Sequence, residues 1–234
     1  MSKIKILIVE DEQAISQGLQ DLFVFHGYDV SLAKDGKEGL SQALTGAYDL
    51  ILLDVMLPEL DGFSVCNKIR EKDREQPIIM LTAKSQGEDV ENGLTLGADD
   101  YVTKPFSVRQ LVLRVEAVLR RSRKLIQREA LLDLGGNLMM NSETLSLQFA
   151  DQKTCELTRR EVELLQYLYK EKERPVSREE LLVEVWGYQK STNIETRTVD
   201  IHMTKLRKKV ETDPRNPKRL ITIRGEGYRW IVPQ

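Results

Sequence analysis

The sequence is poor in cysteine and has no long apolar run. Its two cysteines, Cys66 and Cys155, lie in different halves of the chain without metal-ligand spacing, which favours free thiols over a disulfide or a zinc site. The apolar runs are no longer than a strand, and the N-terminus lacks the apolar stretch and the cleavage site of a signal peptide. We therefore expect a cytoplasmic protein without a membrane segment.

The charge of the chain is divided unevenly between its two halves. A length of 234 residues suffices for two ordinary domains, and 41% hydrophobic with 31% charged residues is typical of a globular protein. Residues 1 to 121 contain 14 basic and 20 acidic side chains, whereas residues 122 to 234 contain 21 and 17, so the net charges are −6 and +4. This asymmetry predicts different partners, a metal and phosphate for the first half and a polyanion for the second.

Carboxylates follow two apolar runs that are typical of buried strands. Asp54 comes directly after Leu50 to Leu53, and Glu10 and Asp11 come directly after the run Ile4 to Val9. Open α/β sheets place their functional groups at the C-terminal ends of such strands. Three carboxylates brought together there lower their energy by raising their pKa values or by binding a hard divalent cation. Because no His or Cys is near these strand ends, the oxygen ligands favour magnesium over zinc.

Two more strand ends contribute a hydroxyl and an ammonium group. Thr82 ends the apolar run that starts at Ile78, and Lys104 follows Tyr101 and Val102. A carboxylate can attack phosphorus to form an aspartyl phosphate, in which case Asp54 is the predicted nucleophile. The metal and Lys104 would neutralise the transferred oxygens, and Thr82 would donate a hydrogen bond to one of them. Singly, such residues are usually turns or helix caps, but their occurrence at separate strand ends favours the site.

The first half alternates apolar strands with amphipathic helices, which predicts a doubly wound parallel sheet of the α/β class. Ser107 and Gln110 have the spacing of a capping box, and Phe106 and Leu111 have that of a hydrophobic staple, so we expect a helix to start there. We take residues 122 to 131 as a linker.

The second half contains two further capping boxes, Thr158 with Glu161 and Ser177 with Glu180. They are expected to open two helices that follow a strand-like segment at residues 131 to 154. A third helix comes next, and two β-rich pieces around glycines then predict a hairpin.

The third helix has an apolar face and a cationic face. The cationic face presents groups able to reach phosphates, guanine or a thymine methyl, and Arg224 lies beside glycines at the expected tip of the hairpin. A charged helix face is more often only solvated, but the positive charge of this half favours contact with nucleic acid. The predicted contacts on the helix are Arg197, Ile201, Thr204, Lys205 and Lys208.

Several short motifs occur together in the first half. They are Val9-Glu10-Asp11-Glu12, Leu53 to Pro58, Asp61-Gly62, Leu81-Thr82-Ala83 and Gly97 to Phe106. These motifs resemble the receiver domain of two-component response regulators, and the resemblance covers residues 1 to about 121. It implies a five-stranded, flavodoxin-like fold in which the three carboxylates bind Mg²⁺ and Asp54 accepts phosphate from a sensor histidine kinase. It also implies that Lys104 contacts the phosphoryl group and that Thr82 and Tyr101 switch position on phosphorylation.

A second set of motifs lies in the basic half. Thr196 to His202, Lys205 to Lys209 and Ile223 to Tyr228 resemble the winged helix-turn-helix effector of the OmpR/PhoB family, over residues 132 to 234. The resemblance implies an α+β domain with a recognition helix in the major groove, a wing arginine in the minor groove, and a loop around Tyr188 to Ile194 that touches RNA polymerase. His202 would lie near a DNA phosphate, or else be a partly buried histidine that never ionises, and both interpretations stay open here.

The family resemblance also implies that active receivers pair through ion pairs between two copies. Asp100, Arg114 and Arg121 match the positions of those charges, whereas Val90 and Gln110 replace a basic and an acidic residue. An exposed ion pair contributes only about 0.2 to 1 kcal/mol, so the missing pair should weaken dimerisation rather than abolish it. We expect a homodimer that forms on phosphorylation and depends less on salt than is usual in the family.

The sequence as a whole predicts a transcriptional regulator that binds promoter DNA and is switched by phosphorylation of Asp54, and not an enzyme. One rival is a phosphatase of the aspartyl-phosphate type. Those enzymes have an Asp-x-Asp pattern in which the second Asp is the acid/base, whereas here position 56 is Met, which cannot transfer protons. A second rival is a regulator that binds DNA without needing phosphate. Only the complete set of acidic residues argues against it.

Overall fold

The protein divides into two compact units, Met1–Arg123 and Lys124–Gln234. The structure is a computed structural model and describes residues 3–83, 97–122, 130–188 and 196–233. Within those ranges no helix has both the length and the apolar character needed to cross a membrane.

A parallel sheet of five strands forms the centre of the first unit. Its strands are β1 (Lys5–Val9), β2 (Asp29–Ala33), β3 (Leu50–Asp54), β4 (Ile78–Ala83) and β5 (Asp100–Lys104), and the described helices are α1 (Gln13–Phe25), α2 (Gly36–Ala43), α3 (Gly62–Lys72) and α4 (Val108–Ser122). The strand order β2-β1-β3-β4-β5 confirms the predicted doubly wound sheet. The order reverses between β1 and β3, so their C-terminal ends flank the crevice where such sheets bind ligands.

The central strands are buried on both faces, which explains their continuous apolar sequences. Every residue of β3 is buried, including Asp54 at its end. Leu50 and Leu52 pack in one cluster with Phe23 of α1 and Leu111 of α4. Each such side chain stabilises the fold by about 1.5 to 3 kcal/mol, so the core holds the polar strand ends in place.

The predicted start of the last helix of this unit is confirmed. Helix α4 begins at Val108, and the backbone N–H of Leu111 donates to the carbonyl oxygen of Ser107 at 3.0 Å. The expected linker at residues 122 to 131 lies mostly outside the described residues.

The second unit is of the α+β class. Its strands are β6 (Leu131–Asp133), β7 (Leu138–Asn141), β8 (Ser146–Phe149), β9 (Thr154–Glu156), β10 (Leu220–Ile223) and β11 (Gly227–Trp230), and its described helices are α5 (Arg159–Lys170), α6 (Arg178–Glu184) and α7 (Arg197–Val210). Strands β6 to β9 form an antiparallel sheet, and β10 and β11 form the predicted hairpin.

Capping side chains fix the starts of α5 and α6 where the sequence predicts them. Thr158 and Glu161 make the complete capping box, in which each side chain binds the backbone N–H of the other. The Ser177 hydroxyl accepts a hydrogen bond from the backbone N–H of Glu180 at 3.0 Å. The Glu180 carboxylate also accepts a hydrogen bond from Tyr167 and thereby links α6 to α5.

Two side chains attach the C-terminal hairpin to the turn between β6 and β7. Trp230 Nε1 donates to the carbonyl oxygen of Leu134 at 3.1 Å. Arg219 donates to the carbonyl oxygens of Gly135 and Gly136 at 2.8 and 2.9 Å. Because the acceptors belong to the turn between β6 and β7, the base of the hairpin has a fixed position.

Gly62 offers a direct test of the packing around the end of β3. A Cβ atom at this position would lie 1.9 Å from the backbone oxygen of Asp54, and a backbone atom cannot move aside as a side chain could. We expect Gly62→Ala to lower the free energy of unfolding by about 3 kcal/mol. Urea unfolding followed by circular dichroism measures the change.

Gly18→Ala is the matched control, because Gly18 is exposed within α1 and a Cβ atom there would meet nothing within 4 Å. This substitution should raise the free energy of unfolding by about 0.5 to 1 kcal/mol, since alanine loses less backbone entropy in a helix. Equal effects of the two substitutions would contradict the close approach at Gly62.

Candidate functional site

The ends of β1 and β3 bring together the three carboxylates singled out in the sequence. Carboxylate oxygens of Glu10, Asp11 and Asp54 all lie within 4.8 Å of one another. Glu10 and Asp54 are only 1% and 5% exposed, whereas Asp11 is exposed. The three residues form an acidic pocket with two buried carboxylates and a third at its mouth.

One ammonium group lies between the two buried carboxylates. Lys104, at the end of β5, places its Nζ 2.7 Å from Glu10 Oε2 and 3.0 Å from Asp54 Oδ2. The other oxygen of Asp54, Oδ1, accepts a hydrogen bond from the backbone N–H of Val55 at 2.8 Å. The predicted convergence of these strand ends is confirmed, while the chemical roles of the side chains stay predictions.

Burial alters the proton affinities in the acidic pocket. It raises the pKa of Asp54 and of Glu10, and the hydrogen bonds from Lys104 oppose this only in part. Burial alone would lower the pKa of Lys104, but its hydrogen bonds to Glu10 and Asp54 outweigh that effect and raise the pKa. Lys104 therefore keeps its proton, and it cannot neutralise three ionised carboxylates by itself.

The donor set of the acidic pocket fits a hard divalent cation. Glu10, Asp11 and Asp54 offer only carboxylate oxygens and exceed the charge of Lys104 by two when all are ionised. Mg²⁺ binds such oxygens and keeps several waters, and an exposed ligand such as Asp11 leaves space for them. The acidic pocket is thus compatible with Mg²⁺.

Thr82 and Tyr101 lie on the two strands that follow β3 in the sheet. Asp54 pairs in register with Leu81, so Thr82 is one residue further along β4, where it partners Thr103 of β5. Thr82 and Tyr101 are buried, with 7% and 8% exposure. The structure therefore places Thr82 at the neighbouring strand end, as predicted, and holds Tyr101 inside the first unit.

Asp100 and Arg114 pair with each other within the chain, while the expected ion pairs between two copies stay a prediction. Arg114 Nη1 lies 2.8 Å from both carboxylate oxygens of Asp100. Both side chains are buried, and separating two opposite charges in a poorly solvated site is costly. Gln110 is half-buried, while Val90 and the side chain of Arg121 lie outside the described residues.

The exposed face of α7 is narrower than predicted. Arg197, Thr204 and Lys208 are exposed, as expected. Ile201 and Lys205 are instead buried, with 7% and 3% exposure, so the prediction that they face outward is wrong. Successive helix residues are about 100° apart, so Ile201 and Lys205 lie beside the apolar stripe of α7. The buried side of the helix is therefore wider than that stripe.

His202 also belongs to the buried side of α7. It is 1% exposed, and its ring packs edge-on against that of Trp186, which follows α6, with 5.1 Å between the ring centroids. Its Nδ1 lies 2.9 Å from the carbonyl oxygen of Thr198. The structure supports the buried-histidine interpretation and not a contact between His202 and phosphate.

Arg224 lies at the tip of the hairpin, as predicted. Strands β10 and β11 pair antiparallel and leave Arg224, Gly225 and Glu226 in an exposed turn. Gly225 has a φ of +80°, a left-handed conformation that glycine adopts without strain. The loop expected to contact RNA polymerase, residues 188–194, lies outside the described residues except for Tyr188, which is buried.

A groove beside the acidic pocket was not predicted from the sequence. It has a volume of about 750 Å³, and its lining includes Ile15 and Leu22 of α1, Phe106, and also Lys104 and Glu12 from the rim of the acidic pocket. The feature of the sequence that could have indicated this groove is the apolar stripe of α1. When the helix is considered alone, the whole stripe is assigned to the core. The part of that stripe next to Phe106 instead borders an open groove.

Two protein-family models match the chain, one in each unit. The model described as the response regulator receiver domain matches residues 6–116. The model described as the C-terminal part of a transcriptional regulatory protein matches residues 152–230.

Whole-length relatives match as well. The chain is 43% identical over 231 residues to the probable transcriptional regulator ycf27 of Guillardia theta, with 97% of this chain and 90% of the relative covered. It is 43% identical over 238 residues to the alkaline phosphatase synthesis transcriptional regulatory protein PhoP of Bacillus subtilis (strain 168), with 98% of each covered.

Solved structures of similar proteins cover both units. A mutant of RitR matches with a TM-score of 0.70 and 28% identity over 98% of this chain and 100% of that one. The response regulator DrrB of Thermotoga maritima, described as an OmpR/PhoB homolog, matches with a TM-score of 0.50 and 32% identity over 98% of this chain and 99% of that one.

Removal of Lys104 tests the charge balance of the acidic pocket. Without its ammonium group Glu10 and Asp54 would repel each other, so we expect Lys104→Ala to lower the free energy of unfolding by about 1 to 3 kcal/mol when Mg²⁺ is absent. Saturating Mg²⁺ should stabilise the variant more than the parent protein, since the cation replaces the lost positive charge. Thermal unfolding with and without Mg²⁺ measures both effects.

Lys37→Ala is the control for loss of a paired lysine. Lys37 Nζ lies 2.7 Å from Glu59, but the two side chains are 68% and 57% exposed, so this substitution should change stability little at any Mg²⁺ concentration. If Mg²⁺ stabilised Lys104→Ala and the parent protein equally, the lysine and the cation would not share the role that we assign to them.

Proposed function

This chain belongs to the OmpR/PhoB family of response regulators, and we propose that it works as a two-domain switch in which phosphorylation of Asp54 controls DNA binding. It is a transcriptional regulator and not an enzyme, with a receiver domain followed by a DNA-binding domain. We assign residues 1 to 121 to the receiver, 122 to 131 to a linker and 132 to 234 to the winged helix-turn-helix domain.

The convergence of Lys104 on Asp54 and Glu10 carries the proposal for the receiver. A carboxylate oxygen of Asp54 would attack the phosphorus of a phosphohistidine on the sensor kinase, and the phosphorus–nitrogen bond would break as the new phosphorus–oxygen bond forms. Lys104 would turn toward the phosphoryl oxygens, and the Thr82 hydroxyl would hydrogen-bond one of them.

The acidic pocket is also the proposed Mg²⁺ site, with Glu10, Asp11 and Asp54 as ligands. When bound, the cation supplies positive charge next to the transferred phosphoryl group. Phosphorylation would move Thr82 and Tyr101, both of which are buried here.

A phosphatase remains the weaker alternative for the acidic pocket. Such an enzyme needs a second acid near the nucleophile to transfer protons, and the residue two positions after Asp54 is Met56. Its thioether side chain is 58% exposed and has no proton to transfer. The family itself consists of regulators that do not act as enzymes.

The groove beside the acidic pocket is our candidate for the kinase-docking surface. The kinase must bring its phosphohistidine to Asp54, and the groove shares Glu12 and Lys104 with the rim of the acidic pocket. Apolar side chains such as Ile15 and Phe106 would give the encounter contact area without adding charge to the pocket.

The second domain would read DNA through α7 and the hairpin tip. Arg197, Thr204 and Lys208 are the exposed side chains that we assign to the major groove, and Arg224 is assigned to the minor groove. The Thr204 hydroxyl donates to the carbonyl oxygen of Asp200 at 2.9 Å, which leaves its methyl group to contact a thymine methyl. The net charge of +4 in residues 122 to 234 supports binding to phosphates.

We further propose a cytoplasmic protein that forms a homodimer on phosphorylation and contacts RNA polymerase through the loop at residues 188–194. Because Asp100 and Arg114 pair within the chain, dimerisation through them would require that pair to open or to be shared with the second copy. The kinase and DNA partners follow from the two domains, whereas the dimer and the polymerase contact rest on family resemblance.

Labelling with acetyl phosphate tests the phosphoacceptor. In the presence of Mg²⁺ the parent protein should gain one phosphoryl group, and Asp54→Asn should gain none, because the amide nitrogen of asparagine is a poor nucleophile. Mass spectrometry of the intact protein gives the stoichiometry. Asp21→Asn, which changes an exposed acid on α1, should be labelled like the parent protein. Labelling that survives Asp54→Asn would refute the assignment.

Replacement of Arg224 tests the DNA-binding mode. We expect Arg224→Ala to weaken binding by about 1 to 3 kcal/mol at sites with A·T-rich flanks, where a narrow minor groove attracts arginine, and to reduce the salt slope by about one. Fluorescence anisotropy across a salt series measures both. Lys153→Ala removes an 81% exposed charge at the turn between β8 and β9 and should change neither. Equal affinity of the parent protein for every duplex would contradict sequence-selective binding.

A further inference from the structure

Tyr228 joins the hairpin to both neighbouring helices. The backbone of Tyr228 pairs with that of Val176, just before α6, through N–H to O bonds of 2.7 and 2.9 Å. Its phenol donates a hydrogen bond to Asp200 Oδ1 on α7 at 2.5 Å. One residue of β11 is thereby attached to the start of α6 by its main chain and to the first turn of α7 by its side chain.

Arg178 contacts the same phenol, and the guanidinium carbon of Arg207 lies 5.7 Å from the centre of its ring. The Nε of Arg178 donates to the same oxygen, Asp200 Oδ1, at 2.7 Å, and its Nη2 lies 3.3 Å from the Tyr228 hydroxyl. Its guanidinium carbon is 4.9 Å from the centre of the Tyr228 ring. The residues Arg178, Asp200 and Tyr228, which we call the wing anchor, therefore connect α6, α7 and the hairpin at one point.

The phenol is the neutral member of the wing anchor. Burial raises the pKa of Tyr228 to about 12, and the hydrogen bond to Asp200 acts in the same direction. The hydroxyl therefore remains a hydrogen-bond donor at neutral pH. The ring is 4% exposed, so the bond to Asp200 forms with little competition from water on the tyrosine side.

The wing anchor lies close in the chain to both proposed DNA contacts, the exposed face of α7 and the hairpin tip. Asp200 lies between Arg197 and Thr204 on α7, and Thr204 donates its hydroxyl to the backbone oxygen of Asp200. On the hairpin, Arg224 is four residues before Tyr228 and is separated from it by the exposed turn. Gly227, which lies between Arg224 and Tyr228 in the chain, passes so close to Val176 that a Cβ atom on Gly227 would lie 2.1 Å from the backbone oxygen of Val176.

We propose that Tyr228 is a positioning residue for DNA recognition, which fixes the hairpin tip at a set angle to the exposed face of α7. The inference rests on the proposed DNA-binding function and goes beyond it, because Tyr228 itself would not touch DNA. Arg207 of α7 holds the other strand, β10, through hydrogen bonds to the carbonyl oxygen of Leu220 at 2.8 Å and the Thr222 hydroxyl at 2.7 Å, so Tyr228 adds an attachment on β11, the strand that follows the tip. A hairpin with fewer attachments samples more tip positions, and Arg224 then loses more entropy on binding. Attachment at Asp200 reduces that loss before DNA arrives.

A purely structural role makes a different prediction from a positioning role. If Tyr228 only stabilised the fold, its replacement would lower stability and would leave the contribution of Arg224 to binding unchanged. If Tyr228 positions the hairpin tip, its replacement would reduce what Arg224 contributes. Coupling between the two residues therefore separates the alternatives.

The test is a double-mutant cycle with Tyr228→Phe and Arg224→Ala in the full chain. The probe is a duplex selected by the parent protein from a random-sequence pool. We expect each single substitution to lower affinity by about tenfold, and Arg224→Ala to cost only about twofold in the Tyr228→Phe background. Affinity for a scrambled duplex should change little, because phosphate contacts do not require the tip to be in register. Tyr169→Phe, at a half-buried tyrosine of α5, is the control for loss of a phenol hydroxyl.

Asp200→Asn supplies a second variant that keeps the shape of the acceptor. It should reproduce the reduced contribution of Arg224 more weakly, since a neutral amide oxygen accepts a weaker hydrogen bond than a carboxylate. Additive losses from Tyr228→Phe and Arg224→Ala, with thermal stability unchanged, would overturn the positioning role while leaving the proposed function intact. If the parent protein selected no sequence and Arg224→Ala had no effect, the DNA-binding proposal would fail first and the inference with it.

Discussion

The ion pairs of Lys104 are the interaction on which the receiver site depends. Glu10 and Asp54 are almost without solvent contact, and two such carboxylates repel each other strongly where water is excluded. Lys104 reduces this repulsion from a position 94 and 50 residues away in the chain. Its contacts require the strands to be in register, because a slip of one residue in β5 would turn Lys104 to the opposite face of the sheet. Charge and apolar packing therefore specify the same arrangement.

The space around Asp54 is limited by backbone contacts as much as by side chains. The N–H of Gly62 donates to the carbonyl oxygen of Val55 at 2.9 Å, which brings the start of α3 against the end of β3. A Cβ atom at Gly36 would lie 1.7 Å from the backbone oxygen of Leu60, so the start of α2 also packs against the loop after β3. Two helices thus hold this loop beside the acidic pocket. Such a fixed frame suits the proposed phosphoryl transfer, which depends on positioning and charge.

The sequence could predict the acidic pocket well because its residues directly follow apolar runs, and parallel strands end at the same edge of a sheet. The exposed face of α7 is harder to predict. An apolar stripe identifies the core side of this helix, but no local signal shows that Ile201 and Lys205, which lie beside the stripe, are buried as well. The pair Asp100 and Arg114 was missed for a similar reason. A charge pattern alone does not show whether its members meet within one chain or between two.

The acidic pocket and the wing anchor both join distant elements through a carboxylate, but they differ in net charge. In the acidic pocket three carboxylates face one lysine, so the folded chain leaves negative charge that a cation can neutralise. In the wing anchor one carboxylate, Asp200, accepts hydrogen bonds from one guanidinium and one neutral phenol, so its charge is already balanced. A balanced cluster has no electrostatic need for a ligand, and its hydrogen bonds can only fix geometry. An unbalanced cluster gains from binding, which agrees with the proposed switch in the acidic pocket and with the proposed positioning role of the wing anchor.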